Sequence, residues 1–208
     1  MGLWAGVPAG IIAAINNNRI ADHSVMIGAL LFVATPNFVL GLLLIIFVSL
    51  NFESIPTGGY SHLSEGPLST LRSIILPAFA LGASQAALVA RMTRASMLEV
   101  LGSDYVRTAR AKGLHSRAVN LRHALKNALL PTTTVIGLVV IAFFGGAVVT
   151  ESLFNLPGIG RMVVNATRNR DFPVVQGALI VVATIYVLVN LLVDLLYVVI
   201  DPRIKYTT

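Results

Sequence analysis

Few residues in this 208-residue chain have the type and spacing for bond-making chemistry. The absence of cysteine excludes a thiolate metal site, a cysteine nucleophile and a disulfide framework. The four histidines are scattered, with no His-Glu-x-x-His or similar spacing, so they give no metal signature. His115 and His123 read as loop or helix-surface residues rather than ligands. No glycine-rich loop ending in Gly-Lys-Ser or Gly-Lys-Thr is present to cradle a nucleotide phosphate, and no Ser, His and Asp set falls within the apolar stretches. Cations are what the sequence concentrates instead. Arg91, Arg94, Arg107, Arg110, Lys112, Arg117, Arg122 and Lys126 share one connection, opposed only by Glu99 and Asp104. Such a segment does recognition rather than catalysis. It is either an anchor on anionic lipid headgroups or a docking element for a cytosolic partner.

The elements around it are membrane spans. The chain is 56% hydrophobic and 12% charged, with a mean hydropathy of +0.82, which is more apolar surface than one small core can hide. Lys and Arg number 15 against 9 Asp and Glu, a formal charge of +6. In a soluble protein that surplus would raise nucleic acid as a partner, but in a membrane protein it reads first as the positive-inside bias, so no nucleic acid is expected. Crossing a bilayer core takes about 20 apolar residues, and four stretches qualify: 24–50, 73–92, 131–151 and 174–199. The first is uncharged, contains Pro36 and Gly41, and is long enough to tilt. The second continues as helix into the basic segment. The third opens on Pro131 and closes on Gly145, Gly146 and Ala147. The fourth carries one acid, Asp194, near its end. Residues 1–15 are apolar but too short to cross: a re-entrant piece, an interfacial helix or, the favoured reading, the remaining end of a span. Their Gly2, Gly6 and Gly10 recur at the spacing that lets helices approach closely.

Placing the basic loop 93–130 in the cytoplasm puts 51–72 and 151–172 outside, and 16–23 and the tail from Asp201 inside. Eleven Lys and Arg then lie inside, and four outside: Arg72, Arg161, Arg168 and Arg170. The loop reads as helical, with stops at Gly102 and Gly113. Between them lies a short basic helix, with Ser103 as candidate N-cap and Lys112 in the last turn. Spacing sets Tyr105, Ala109 and Lys112 near one face and Val106 and Arg110 near another. Outside, Asn155 to Arg161 reads as a turn leading into an amphipathic piece with Val163, Val164 and Ala166, and Ile55 to Tyr60 as a turn-rich loop. Glu151, at the outer mouth, either meets a solute or an external protein, or anchors the loop. Asp194 reads as a helix-end acid reaching water or a neighbouring helix.

The run Tyr-Val-Arg-Thr-Ala-Arg-Ala-Lys-Gly-Leu from Tyr105 to Leu114, followed by Leu-Arg-His-Ala-Leu-Lys-Asn-Ala-Leu-Leu-Pro ending at Pro131, resembles the EAA loop of ABC importer permeases. The branch it looks most like carries dipeptides, oligopeptides, nickel and glutathione. Three further blocks resemble the same branch: Gly145 to Arg161, Arg170 to Gly177, and the ending from Asn190 to Tyr206. The family pattern Glu-Ala-Ala, three residues, Gly falls on Arg107, Thr108, Ala109 and Gly113, with the acid and first alanine replaced. The family's later Leu-Pro aligns with Leu125 and Lys126, whereas the proline here is Pro131.

The resemblance implies an all-α membrane protein, a type I ABC importer transmembrane domain over 1–200, with about four complete transmembrane helices and a truncated N-terminal one. It implies half of a translocation path in the bacterial inner membrane, completed by a second homologous permease. Two cytosolic ATP-binding subunits and an external substrate-binding protein would serve it, with ATP and magnesium on the ATPase and no cofactor on this non-catalytic chain. The docking helix would present Tyr105, Arg107, Thr108, Ala109, Arg110, Lys112, Gly113 and Leu114, moving as a rigid lever when the ATPases close. The competing class is a fragment of a secondary transporter or channel, whose mark would be paired broken helices and mid-membrane acids. An intramembrane enzyme would need the buried constellation that the spans lack.

Overall fold

The computed structural model describes residues 2–52 and 55–200, and among them every regular element is a helix. These are α1 (Gly2–Ile15), α2 (Ile20–Ala34), α3 (Asn37–Asn51), α4 (Pro67–Leu101), α5 (Asp104–Ala111), α6 (Ser116–Ala118), α7 (Leu125–Leu153), α8 (Ile159–Arg168) and α9 (Phe172–Ile200). A π-helical stretch, Val119–Ala124, joins α6 to α7. The tail from Asp201 and the side chains of Arg122, His123 and Asp194 lie outside the described set.

The axis of the fold is α4, whose 35 residues run about 52 Å at 1.5 Å per residue. Pro67 starts it where no N–H is needed, and Gly102 follows its end. It passes through Arg91 without a break, so the 73–92 stretch is one part of a longer rod. Against it pack α1, α2, α3 and α7. The α1 contact depends on missing side chains. A Cβ at Gly6 would lie 2.6 Å from the Ala86 carbonyl oxygen, and one at Gly10 would lie 2.6 Å from Thr93 Cβ. The four-residue glycine spacing is therefore a packing stripe for α4.

Two expectations require correction. The 24–50 stretch is not one straight helix but two, α2 and α3, whose axes differ by 104°. Pro36 has no N–H, and its ring keeps the residue before it out of the helical region. Thr35 is accordingly extended, with φ −89° and ψ 121°. Nor does Pro131 open the third helix or the glycine pair close it: α7 starts at Leu125 and runs on to Leu153. Gly146 instead admits a neighbour, because a Cβ there would lie 2.7 Å from Leu81 Cδ1 on α4.

By length and composition, α4 and the Phe172–Val193 part of α9 are each able to cross a membrane. The bent pair α2 and α3 meets the same test when taken together, as do Pro131–Val140 and Gly145–Leu153 within α7, which are bent by 47°. Exposed leucines, isoleucines and valines cover α9 on most sides, among them Ile180, Val187 and Leu192, as expected of a helix facing lipid or another chain. Two buried apolar clusters hold the ends of the bundle. At one end Val48, Leu76, Ala80 and Phe154 pack together. At the other, Ala14, Met97, Ala124 and Ala128 do so, with Leu98, Leu101 and Leu125 against them.

Candidate functional site

The segment with α5 lies beside the second cluster. Gly102 interrupts α4, and the chain turns through Ser103 into α5. Ser103 occupies the N-cap position with extended backbone (φ −71°, ψ 153°), as its residue type suggests, but its hydroxyl does not cap. It donates instead to the Val100 carbonyl at 2.6 Å, tying α5 to the end of α4. Val106 is fully buried, as are Val119 and Ala124 of the π-helical stretch that contacts α5. Asn127 at the start of α7 donates from Nδ2 to the Tyr105 hydroxyl at 2.7 Å. Short as it is, α5 is thus fastened to both α4 and α7.

The far end of α5 is closed by a Schellman motif. Gly113 has φ +78°, the left-handed conformation that a side chain disfavours. Its N–H donates to the Arg110 carbonyl at 3.0 Å, and the Leu114 N–H reaches back to the Ala109 carbonyl at 3.4 Å. His115 then starts the next turn, its Nδ1 accepting the Arg117 N–H at 3.2 Å, which gives that histidine a capping role.

Of the residues expected to dock, Arg107, Thr108, Arg110, Lys112, Gly113 and Leu114 are exposed, Tyr105 is 45% exposed, and Ala109 is half-buried. The exposed face carries three cations around the small Thr108. The Arg107 contact to Asp104 is 3.7 Å between two exposed side chains, which leaves Arg107 effectively available to another molecule. Thr108 bonds its own helix at the Asp104 carbonyl (2.9 Å), so its methyl and a compact surface face outward.

A buried ion pair lies near the same end. Arg94 of α4 meets Asp22 through two bonds, Nε to Oδ1 at 2.5 Å and Nη2 to Oδ2 at 2.6 Å. Asp22 is 1% exposed and also accepts the Asn18 N–H at 2.9 Å, where Asn18 turns the chain with φ +60°. The Arg94 hydrogen bonds, aided by Asn18 and opposed by burial, hold the Asp22 carboxyl down at about 2 from its ordinary 3.8. Charge counting had treated Arg94 only as an orientation marker. A signal exists: Asp22 is the first acid of the chain, in the first turn of α2, between a run of three asparagines and an uncharged stretch.

At the opposite end, Glu151 anchors the loop after α7. Its Oε2 accepts the Arg161 N–H at 2.9 Å in the first turn of α8; a Cβ at Gly158 would collide with the Glu151 carboxylate, and one at Gly160 would strike the Val148 backbone. The turn and amphipathic piece read from Asn155 onward are a loop and α8. The loop 55–60 joins the same cluster, where the Gly59 N–H donates to the Phe154 carbonyl at 2.8 Å.

An apolar helical bundle, with a short cationic helix packed at the end of its longest rod, is the architecture of a membrane protein. The family model for binding-protein-dependent transport system inner membrane components matches residues 6–206, and the chain belongs to that family. It is 44% identical over 224 residues to the dipeptide transport system permease protein DppB of Escherichia coli (strain K12), covering 97% of this chain and 66% of that protein. Identity to DppB of Haemophilus influenzae is 42% over 224 residues, covering 98% and 67%. Identity to y4tP of Sinorhizobium fredii, which bears the name of a peptide ABC transporter permease protein, is 43% over 206 residues, covering 99% and 66%. The chain thus spans about two thirds of the length of the curated relatives it matches.

Proposed function

We propose that this chain is a permease subunit of an ATP-driven importer of peptides or related small solutes, with α5 as the element that receives force from a cytosolic ATPase. The family and the dipeptide permeases similar to it support the class. The observation that carries the coupling role is the attachment of α5. A force applied to its exposed cationic face passes through buried Val106 and the Tyr105–Asn127 bond into α4 and α7 together. The Gly113 turn closes its C-terminal end and the Ser103–Val100 bond ties its start to α4, so it moves with the spans.

In this reading the chain is a multi-pass inner membrane protein of the type I ABC importer kind, with α5 and the tail from Asp201 in the cytoplasm and the Glu151 end outside. A second homologous permease supplies the other half of the path. Two ATP-binding subunits hold ATP and magnesium, and each permease seats its coupling helix in a groove of one of them. The external binding protein meets the Glu151 end. Closure of the ATPases shifts a two-state equilibrium of the spans, and the lever conveys that shift. Catalysis stays on the ATPase.

The test is a site-specific cross-link. With no native cysteine in the chain, Thr108→Cys bears a unique thiol. A bifunctional reagent is expected to join it to the cognate ATP-binding subunit in the assembled complex, while Leu43→Cys on α3 stays unjoined. Absence of any link from Thr108→Cys in a complex that hydrolyses ATP would refute the docking assignment.

A further inference from the structure

The break between α2 and α3 is chemically out of place. It falls near the middle of an uncharged stretch and turns the chain by 104°. Where the pair is taken together as a broken span or a re-entrant loop, the break falls at membrane depth. There the N–H groups of Asn37, Phe38 and Val39, at the first turn of α3, have no acceptor within their helix. Hydrocarbon offers none either, so irregular backbone at that depth persists only where protein buries it or where it lines a water-filled cavity.

The structure has such a cavity. A cleft of about 330 Å³ opens at the break, with Thr35, Pro36 and Asn37 on one wall and Ser84, Gln85 and Leu88 of α4 on the other. Ser84 Oγ donates to Asn37 Oδ1 at 2.8 Å, which fixes the amide and turns Nδ2 toward the Gly146 position on α7. A side chain at Gly146 would close that corner, since its Cβ would stand 3.3 Å from Nδ2. Among the described residues the Gln85 amide and Asn37 Nδ2 have no hydrogen-bond partner, and Gln85 is half-buried on the cleft wall.

The wall sets the neutral Asn37 and Gln85 amides among apolar Val33, Pro36 and Leu88, and it carries no charge. That chemistry matches the amide groups of a peptide, each with one donor and one acceptor, and it binds weakly enough to let a solute leave again. We infer that the cleft at the α2–α3 break is one wall of the solute path, with the Asn37 and Gln85 amides contacting amide groups of the solute in transit. This rests on the permease reading above, in which the second permease faces the open side of the cleft.

Single-cysteine chains test it in the full complex, reconstituted in vesicles with its partner permease, ATPase and binding protein. Gln85→Cys and Leu88→Cys report the cleft, and Leu43→Cys reports the apolar exterior of α3. A charged methanethiosulfonate reagent is expected to modify the two cleft thiols about tenfold or more faster than Leu43→Cys, because an ionised reagent does not enter hydrocarbon. Saturating alanyl-alanine is expected to slow the cleft reaction several-fold. Cleft thiols as inert as Leu43→Cys in a complex that takes up dipeptide would overturn the inference, as would modification that dipeptide leaves unchanged in that complex. Dipeptide uptake by the unsubstituted complex is scored separately. Its failure alongside rapid cleft modification would overturn the solute class while upholding a water-lined cleft.

Discussion

The carboxylate of Glu151 accepts the backbone N–H of Arg161 at 2.9 Å, so the last turn of α7 supplies the acceptor that the first turn of α8 lacks. An acid at a helix N-terminus also favours the helix dipole. Glycine at 158 is the condition for this contact, because a Cβ there would strike the carboxylate.

Glu151→Ala should therefore lower stability by about 1–3 kcal/mol, the range for a hydrogen bond to a charged group. Gly158→Ala should destabilise as well, by displacing that carboxylate. Combined, the two should cost less than the sum of their separate effects, since the side chain that the new methyl strikes is then gone. Thermal unfolding in detergent across this double-mutant cycle checks it.

The Asp22–Arg94 pair gives a pH dependence with a definite sign. Asp22 is held at about 2 when folded, against an ordinary 3.8. Its contribution is therefore complete above about pH 4, is lost as pH falls from about 4 toward 2, and is flat from pH 5 to 8. Asp22→Asn should abolish that acid-side slope and destabilise the protein at neutral pH by about 1–3 kcal/mol, Arg94 losing a charged partner. Arg94→Lys should recover only part, because an ammonium cannot make the two-pronged contact. Unfolding midpoints between pH 3 and pH 7 measure all three.

The α1–α4 stripe predicts a contrast between glycines. Gly10→Val should destabilise by about 1–3 kcal/mol through overpacking against Thr93 and the Ala90 carbonyl. Gly28→Ala, with nothing within 4 Å of the added methyl, should be neutral or slightly stabilising within α2. Melting temperatures of the two variants are the comparison.

Burial of Val106 predicts how α5 is held. Val106→Asp should release α5 from the π-helical stretch while the spans remain intact, because a carboxylate cannot stay at a fully buried apolar position. Limited trypsin digestion should then cut faster at Arg107, Arg110 and Lys112, and Val106→Ile should not show the change.

What the sequence could and could not disclose follows from range. Gly102 and Gly113 bound α5 through local backbone preference, so that helix was legible residue by residue. The glycine stripe of α1 was legible as a spacing, although not its partner. Pro36 lies inside an uncharged stretch of spanning length, and whether neighbours restore a broken ladder there depends on packing that only the folded chain reveals. Pro131 errs the other way: its favourable first-turn position was outweighed by a helix continuing from the π-helical stretch. Asp22 with Arg94, Asn37 with Ser84, and Tyr105 with Asn127 are partners 72, 47 and 22 residues apart, and no local pattern pairs them. From sequence alone, Glu151 fits a solute contact, an external protein contact or an anchor. The bond to Arg161 assigns the anchor, ten residues away.

The central claim is that α5 carries the movement of the ATPase to the spans. It is tested most directly by measuring ATP hydrolysis and dipeptide uptake together, in vesicles holding the assembled transporter with Gly113→Trp or with Arg107→Glu and Arg110→Glu combined. The account predicts normal membrane insertion with uptake lost or separated from hydrolysis. Normal uptake, with the usual ratio of solute moved to ATP consumed, would contradict it.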